Sequence, residues 1–192
     1  MSLRRPAPVG LLRVTAPLSS LARRSPSPAD ARLASSLAHH LGEGYNLRYP
    51  QMPVEEEPKY AAWASALANE LAAADSTLVL VGHSLGASLV LRYLALNTVA
   101  PVPVGVFLVS APFIGKQGWS YAEFELPASA GKNLRHMQLV FYHGGADEMV
   151  PAKHMDLYKQ AFPHATMRLL AGRNHQLDDD LSDVAADIRR LS

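Results

Sequence analysis

From Pro28 onward, apolar residues recur in two alternating rhythms. Leu33, Leu37 and Leu41 stand four residues apart, on one face of a helix that Asp30 would cap and Gly42 and Gly44 would end. Tyr45 to Tyr49 alternates as a short strand closed by Pro50. The acidic, proline-bounded segment MPVEEEP, residues 52–58, reads as a loop. Tyr60, Trp63, Leu67 and Leu71 then mark a second helical face, an aromatic and leucine stripe of the kind that packs into a core. The unbroken apolar run TLVLV, residues 77–81, suits a strand buried on both faces of a parallel sheet. After Gly86 the helical rhythm returns through Leu89, Val90, Tyr93 and Leu94. Further strands are predicted at 104–109, 138–142 and 166–170. A helix is predicted from about Pro151, carrying Met155, Leu157, Tyr158 and Phe162. A last helix carries Leu181, Val184, Ile188 and Leu191, with Asp178, Asp179 and Asp180 ahead of it to cap it and favour its dipole. Strands alternating with helices imply an α/β fold, a mostly parallel sheet flanked by helices on both faces.

The start of the chain is different. Residues 1–27 are rich in Pro, Ser and Arg, with one short apolar run from Val9 to Val14 and no acidic residue before Asp30. Such a basic, serine-containing start has two readings. One is a transit peptide. The other, preferred here, is a divergent first strand and loop, or a wrongly placed start. The expected organisation is therefore a divergent segment over 1–27 and one domain over 28–192. A length of 192 residues suits one domain rather than two.

Composition removes several classes of function. A net charge of +1 leaves no electrostatic footprint for nucleic acid or an anionic membrane. No apolar run reaches the roughly 20 residues that cross a bilayer. The chain has no cysteine, so disulfides, thiolate metal sites and a cysteine nucleophile are out, and a cytoplasmic location is expected. There is no HExxH pattern and no other cluster of ligands at metal spacing, so no metal site is expected.

The chemistry gathers in three places. Gly82-His83-Ser84-Leu85-Gly86 matches G-x-S-x-G, with a predicted buried strand before it and a predicted helix after it. In that context the serine sits on a strained strand-to-helix turn, and side chains at Gly82 and Gly86 would crowd it. The Leu85 N–H then faces the place where an oxyanion would develop. A serine hydroxyl needs a base, and on such a sheet the order along the chain is Ser, then Asp or Glu, then His. Asp147, in FYHGGADEMVP just beyond a predicted strand, is the candidate acid, and Glu148 would point elsewhere. His175, in LLAGRNHQLDDD between the last strand and the last helix, is the candidate base. His39 and His40 fall on a helix and His83 on the variable position of the turn. His136, His143, His154 and His164 lack the terminal position that the order requires.

With these pieces assembled, the chain resembles a compact group of α/β-hydrolase-fold serine hydrolases that includes the retinoblastoma-binding serine hydrolase. The matching segments are YNLRYPQMP (45–53), LVGHSLGASLVLRYL (80–94), FLVSAPF (107–113), FYHGGADEMVP (141–151) and GRNHQLDDDLSDVAADIR (172–189). The resemblance implies an α/β-hydrolase fold without a large lid domain. It also implies esterase-like hydrolysis of small acyl substrates without a cofactor, with Ser84, Asp147 and His175 as nucleophile, acid and base. It supplies no physiological substrate and no oligomeric state. The sequence departs from the group at VGLLRVTAPLSS, residues 9–20. Such enzymes carry a glycine-containing turn there that supplies a second oxyanion N–H, to be sought here within Thr15 to Ser20, where Pro17 has none to give. Two functions therefore stand: a serine hydrolase using an acyl-serine intermediate, or a catalytically impaired binding protein with a defective oxyanion loop.

Overall fold

The structure is a computed structural model that describes residues 11–15, 28–50, 52–54, 57–74 and 77–191. Most of the divergent start, including Val9, Gly10 and residues 16–27, lies outside the described residues, as do Glu55 and Glu56 of the acidic loop.

Six strands form one sheet in the order β2-β1-β3-β4-β5-β6. They are β1 (Leu11–Thr15), β2 (Asn46–Arg48), β3 (Val79–His83), β4 (Gly105–Val109), β5 (Leu139–Gly144) and β6 (Thr166–Leu170). β3 to β6 run parallel. The principal helices are α1 (Pro28–Leu41), α2 (Tyr60–Ala72), α3 (Leu85–Leu96), α4 (Ala130–Asn133), α5 (Lys153–Ala161) and α6 (Ser182–Arg189). No helix among the described residues is long and apolar enough to cross a membrane.

The central strands are buried on both faces because their residues are apolar throughout, and successive side chains split between two cores. Val79, Val81, Phe107, Val109, Val140 and Tyr142 face α1 and α6 through Leu33, Leu37, Val184 and Ile188. Leu80, Val106, Leu108, Leu139 and Phe141 face the other way, onto Trp63, Leu67, Leu89, Val90 and Tyr158. The predicted α/β architecture with helices on both faces is therefore observed. Its edges are polar or half-exposed: β6 has only half-buried and exposed residues, as befits an edge strand.

Several boundaries move. α1 begins at Pro28, so Asp30 lies in its first turn rather than capping it. β3 begins two residues later than predicted and runs to His83, which carries it up to the serine. α5 begins at Lys153, after a turn in which the Pro151 carbonyl accepts the His154 N–H. None of the three aspartates expected to cap α6 is its N-cap, which is Leu181; Asp180 stands one residue earlier, its Oδ1 accepting the Ser182 N–H at 2.9 Å. Asp179 pairs instead with Arg32 at 2.7 Å, and the Asp178 Oδ1 accepts the Asn174 N–H at 3.3 Å.

The first strand changes the picture most. β1 runs antiparallel to both neighbours, with Leu11 opposite Gly82 and Val14 opposite Val79. Its C-terminal residue, Thr15, therefore lies at the edge of the sheet where β3 begins, not where β3 ends.

Candidate active site

Three of the parallel strands deliver one side chain each to their C-terminal edge, the place where open α/β sheets build sites. Ser84 follows β3 directly. Its backbone is left-handed, φ 52° and ψ −127°, a conformation costly for a side-chain-bearing residue. The surroundings impose it. The Ser84 N–H is held by the Val109 carbonyl at 2.9 Å, and its own carbonyl accepts the Ala87 N–H at 3.0 Å, which starts α3. Gly82 permits the turn: a Cβ there would lie 2.7 Å from the Ala87 Cα and 2.9 Å from its nitrogen. Leu85 and Gly86 are buried in the first turn of α3, where backbone N–H groups have no partner within the helix.

Asp147 sits three residues beyond β5. Its Oδ1 accepts the N–H groups of Met149 and Val150, both at 2.8 Å, and its carboxylate is fully buried. Neighbouring Glu148 is exposed. His175 lies five residues beyond β6. Gly144 lets this loop lie against the one carrying Asp147. A Cβ on Gly144 would fall 2.2 Å from the Arg173 carbonyl oxygen and 2.4 Å from that of Asn174. The Ala146 N–H also donates to the Arg173 carbonyl at 2.9 Å.

These placements bring the three predicted side chains into one chain of contacts. His175 Nε2 is 3.1 Å from the Ser84 Oγ, and His175 Nδ1 is 2.8 Å from the Asp147 Oδ2. With Nδ1–H donating to the carboxylate, Nε2 carries the lone pair that accepts the serine proton. Burial opposes ionisation of Asp147. The hydrogen bond from His175, the Val150 and Met149 N–H groups and the His175 charge outweigh it and hold the carboxyl below the usual carboxylate range. For His175 the balance goes the other way. Burial, seconded by His83 and His143, outweighs the attraction of Asp147 and holds the imidazole below its ordinary value. The pairing alone would have raised it; desolvation is the larger effect. Near neutral pH the pair is an ionised carboxylate and a neutral imidazole, the state a general base needs.

Two histidines set aside on sequence position also reach this edge. His83 Nε2 lies 3.2 Å from the carbonyl oxygen of His175, with the two rings 5.0 Å apart. His143 Nε2 is 2.8 Å from the Val150 carbonyl and 3.6 Å from the Asp147 Oδ2. A third, His154, is buried on α5. Burial and nearby positive charge lower it to about 4, so it stays neutral and its Nδ1 accepts the Phe113 N–H at 2.7 Å. That bond ties the loop after β4 to the first turn of α5. Local pattern gives no sign of these partners, which lie from four to 92 residues away in sequence.

The stretch in which the second oxyanion donor was expected lies almost wholly outside the described residues. Of Thr15 to Ser20 only Thr15 is described, and the β1 register places it at the edge away from Ser84. Among the described residues no group of three His, Cys, Asp or Glu is arranged to hold a metal ion.

A family model described as serine hydrolase matches residues 33–175, spanning all three of these side chains. No curated protein matches the sequence. Solved structures share the fold at low identity. The esterase domain of a Rhodothermus marinus protein is 20% identical with a TM-score of 0.60, over 84% of this chain and 81% of that one. An α/β serine hydrolase without a lid from Xanthomonas campestris is 19% identical with a TM-score of 0.58, over 97% and 93%. The ydeN gene product of B. subtilis is 20% identical with a TM-score of 0.63, over 74% and 80%.

Proposed function

The chain belongs to the serine hydrolase family, and we propose that it cleaves small carboxylic esters or related acyl substrates through an acyl-serine intermediate. The observation that carries this reading is the unbroken contact from Ser84 through His175 to buried Asp147. Ser84 Oγ attacks the carbonyl carbon while His175 Nε2 takes its proton, and Asp147 holds the ring in the required tautomer and stabilises the imidazolium. The tetrahedral oxyanion is met by the Leu85 N–H. As the intermediate collapses, Nε2 returns the proton to the leaving alkoxide. Water, with His175 again as base, then hydrolyses the acyl-serine. The esterase domain among the structural neighbours supports the ester, and the segments shared with the compact group of small serine hydrolases support a small substrate. The absence of cysteine favours the cytoplasm as its compartment.

One observation favours a second reading, an impaired enzyme that binds more than it turns over. β1 runs antiparallel to β3 and ends with Thr15 at the sheet edge away from Ser84, so among the described residues Leu85 is the donor that the turn itself supplies. Loss of one oxyanion donor costs about 10²–10³ in kcat. Labelling with a fluorophosphonate, together with turnover of an activated ester, tests both. Wild type should label, and Ser84→Ala should neither label nor hydrolyse, with kcat down by ~10⁴ or more and the fold intact. Equal rates for the two proteins would remove Ser84 as nucleophile. A wild-type kcat of about 10 s⁻¹ or more would end the second reading.

A further inference from the structure

β3 is apolar from Val79 to Val81, yet its last residue is a buried histidine, 4% exposed. A buried imidazole must find hydrogen-bond partners, so an apolar residue would be the simpler choice at a purely structural position. The partner it has found is informative. His83 Nε2 faces the main-chain carbonyl of His175 at 3.2 Å. A carbonyl only accepts, so Nε2 carries the proton and donates. The next residue, Ser84, reaches the ring of the same histidine at 3.1 Å. We propose that His83 is a positioning residue: consecutive residues of the elbow hold His175 at two points, His83 by its main chain and Ser84 by its ring. This rests on the reading of Ser84 and His175 as nucleophile and base.

The geometry explains why a second grip matters. His83 is fixed by the sheet, paired with Val109 of β4 in a strand buried along its whole length. His175, by contrast, stands in a loop five residues beyond an edge strand. If that loop shifts, the ring leaves the serine. A bond from the elbow to the main chain of His175 makes the distance between base and nucleophile a property of one rigid element. The rings, 5.0 Å apart and tilted by 55°, add a packing contact to the same end.

The test compares wild type with His83→Gln, whose carboxamide N–H can replace Nε2–H, and with His83→Phe, which keeps a ring and removes the donor. His83→Leu removes the donor in a smaller volume should Phe prevent folding. Two readouts are taken: kcat and KM on an activated ester, and the low-field NMR signal of the Nδ1 proton that His175 shares with Asp147. The apolar variants should lose about 10- to 100-fold in kcat with KM little changed, the cost of a base displaced by an ångström or less. They should also lose the low-field proton to solvent exchange. His83→Gln should keep that proton and stay within about fivefold of wild type in kcat. Wild-type kcat and an intact proton signal in a folded apolar variant would overturn the proposal, as would Gln falling as far as Phe. If wild type itself hydrolyses no ester, the functional reading fails, while the proton signal still decides whether His83 holds His175.

Discussion

Ser84 stands between two buried apolar elements, β3 and α3, whereas His175 stands in a loop shaped by polar side chains. At the elbow, the left-handed serine is forced by packing and by backbone bonds to neighbouring strand and helix. Around His175, Asn174 does that work. Its Oδ1 accepts the N–H groups of Gln176 and Asp178, both at 2.9 Å. Arg173 closes the loop, donating to the Leu177 carbonyl at 2.9 Å and to Asp180 at 2.8 Å, and this holds the Asp180 carboxyl down to about 2. Leu177, Asp178 and Asp179 are all left-handed, so the strain is spread over three residues rather than carried by one. One half of the site is held by the core and the other by hydrogen bonds at the surface. The two halves should therefore fail differently.

The largest effect comes from cutting the contact that joins them. Asp147→Asn keeps the shape of the acid but offers His175 an N–H as readily as an acceptor, which favours the wrong imidazole tautomer. A loss of about 10⁴ in kcat with unchanged circular dichroism is expected. Glu148→Gln, at the exposed neighbour, should leave kcat near wild type. The reverse pattern would mean that the acid has been misassigned.

The two glycines that allow close approach separate the halves. Gly82→Ala drives a methyl into the backbone of α3 at Ala87, within a stretch, Leu85–Leu91, that is buried throughout. It should cost at least ~1–3 kcal/mol of stability, read as a fall in melting temperature. Gly144→Ala drives a methyl into the carbonyls of Arg173 and Asn174, in a loop that can move. It should instead cost activity, about 100-fold in kcat for a base displaced by about an ångström, with a smaller change in melting temperature. Equal losses of stability in the two variants would erase the distinction between a rigid elbow and a yielding loop.

Much of this was legible in the sequence. The buried strands and the helical faces follow from local periodicity, and so does the strand-turn-helix setting of Gly82-His83-Ser84-Leu85-Gly86; Asp147 and His175 follow from the chain order of acid and base on such a sheet. What escaped has a common cause. An apolar run such as LLRVT marks a strand but carries no direction, so nothing in it says that β1 runs antiparallel and turns Thr15 away from Ser84. His83 looks like a freely variable position until the fold sets the His175 carbonyl beside it, 92 residues on. The His175 pKa depends on how deeply the fold buries the ring, and pairing with Asp147 argues for the opposite direction.

A gentler change tests the polar half alone. Asn174→Ala removes the acceptor for two N–H groups without adding bulk. By analogy with a lost helix cap it should cost about 0.5–2 kcal/mol of local stability. If the loop opens by that amount during turnover, kcat falls by up to about thirtyfold. Asn174→Asp keeps the acceptor and should restore most of it. An Asn174→Ala enzyme with unaltered kcat would show that Gly144 and Arg173 suffice to place His175.

The smallest effect, and the one that weighs the two halves against each other, is the acid limb of the pH–rate profile. Turnover requires neutral His175, so rate falls with pH as the ring protonates. Two influences act on that ring. Burial, with His83 on the elbow seconding it, disfavours the charged form; Asp147 favours it. Burial is the larger, so the folded value lies below the ordinary one of about 6.5, and the limb of kcat/KM should lie below that pH. At pH 6 an ordinary imidazole is only about one quarter neutral, so the protein should retain more than that fraction of its plateau rate, a difference of less than about fourfold. A limb at or above 6.5 would mean that the carboxylate outweighs burial. His175 would then behave as one member of an ion pair in a wet loop rather than as a base held dry against the elbow.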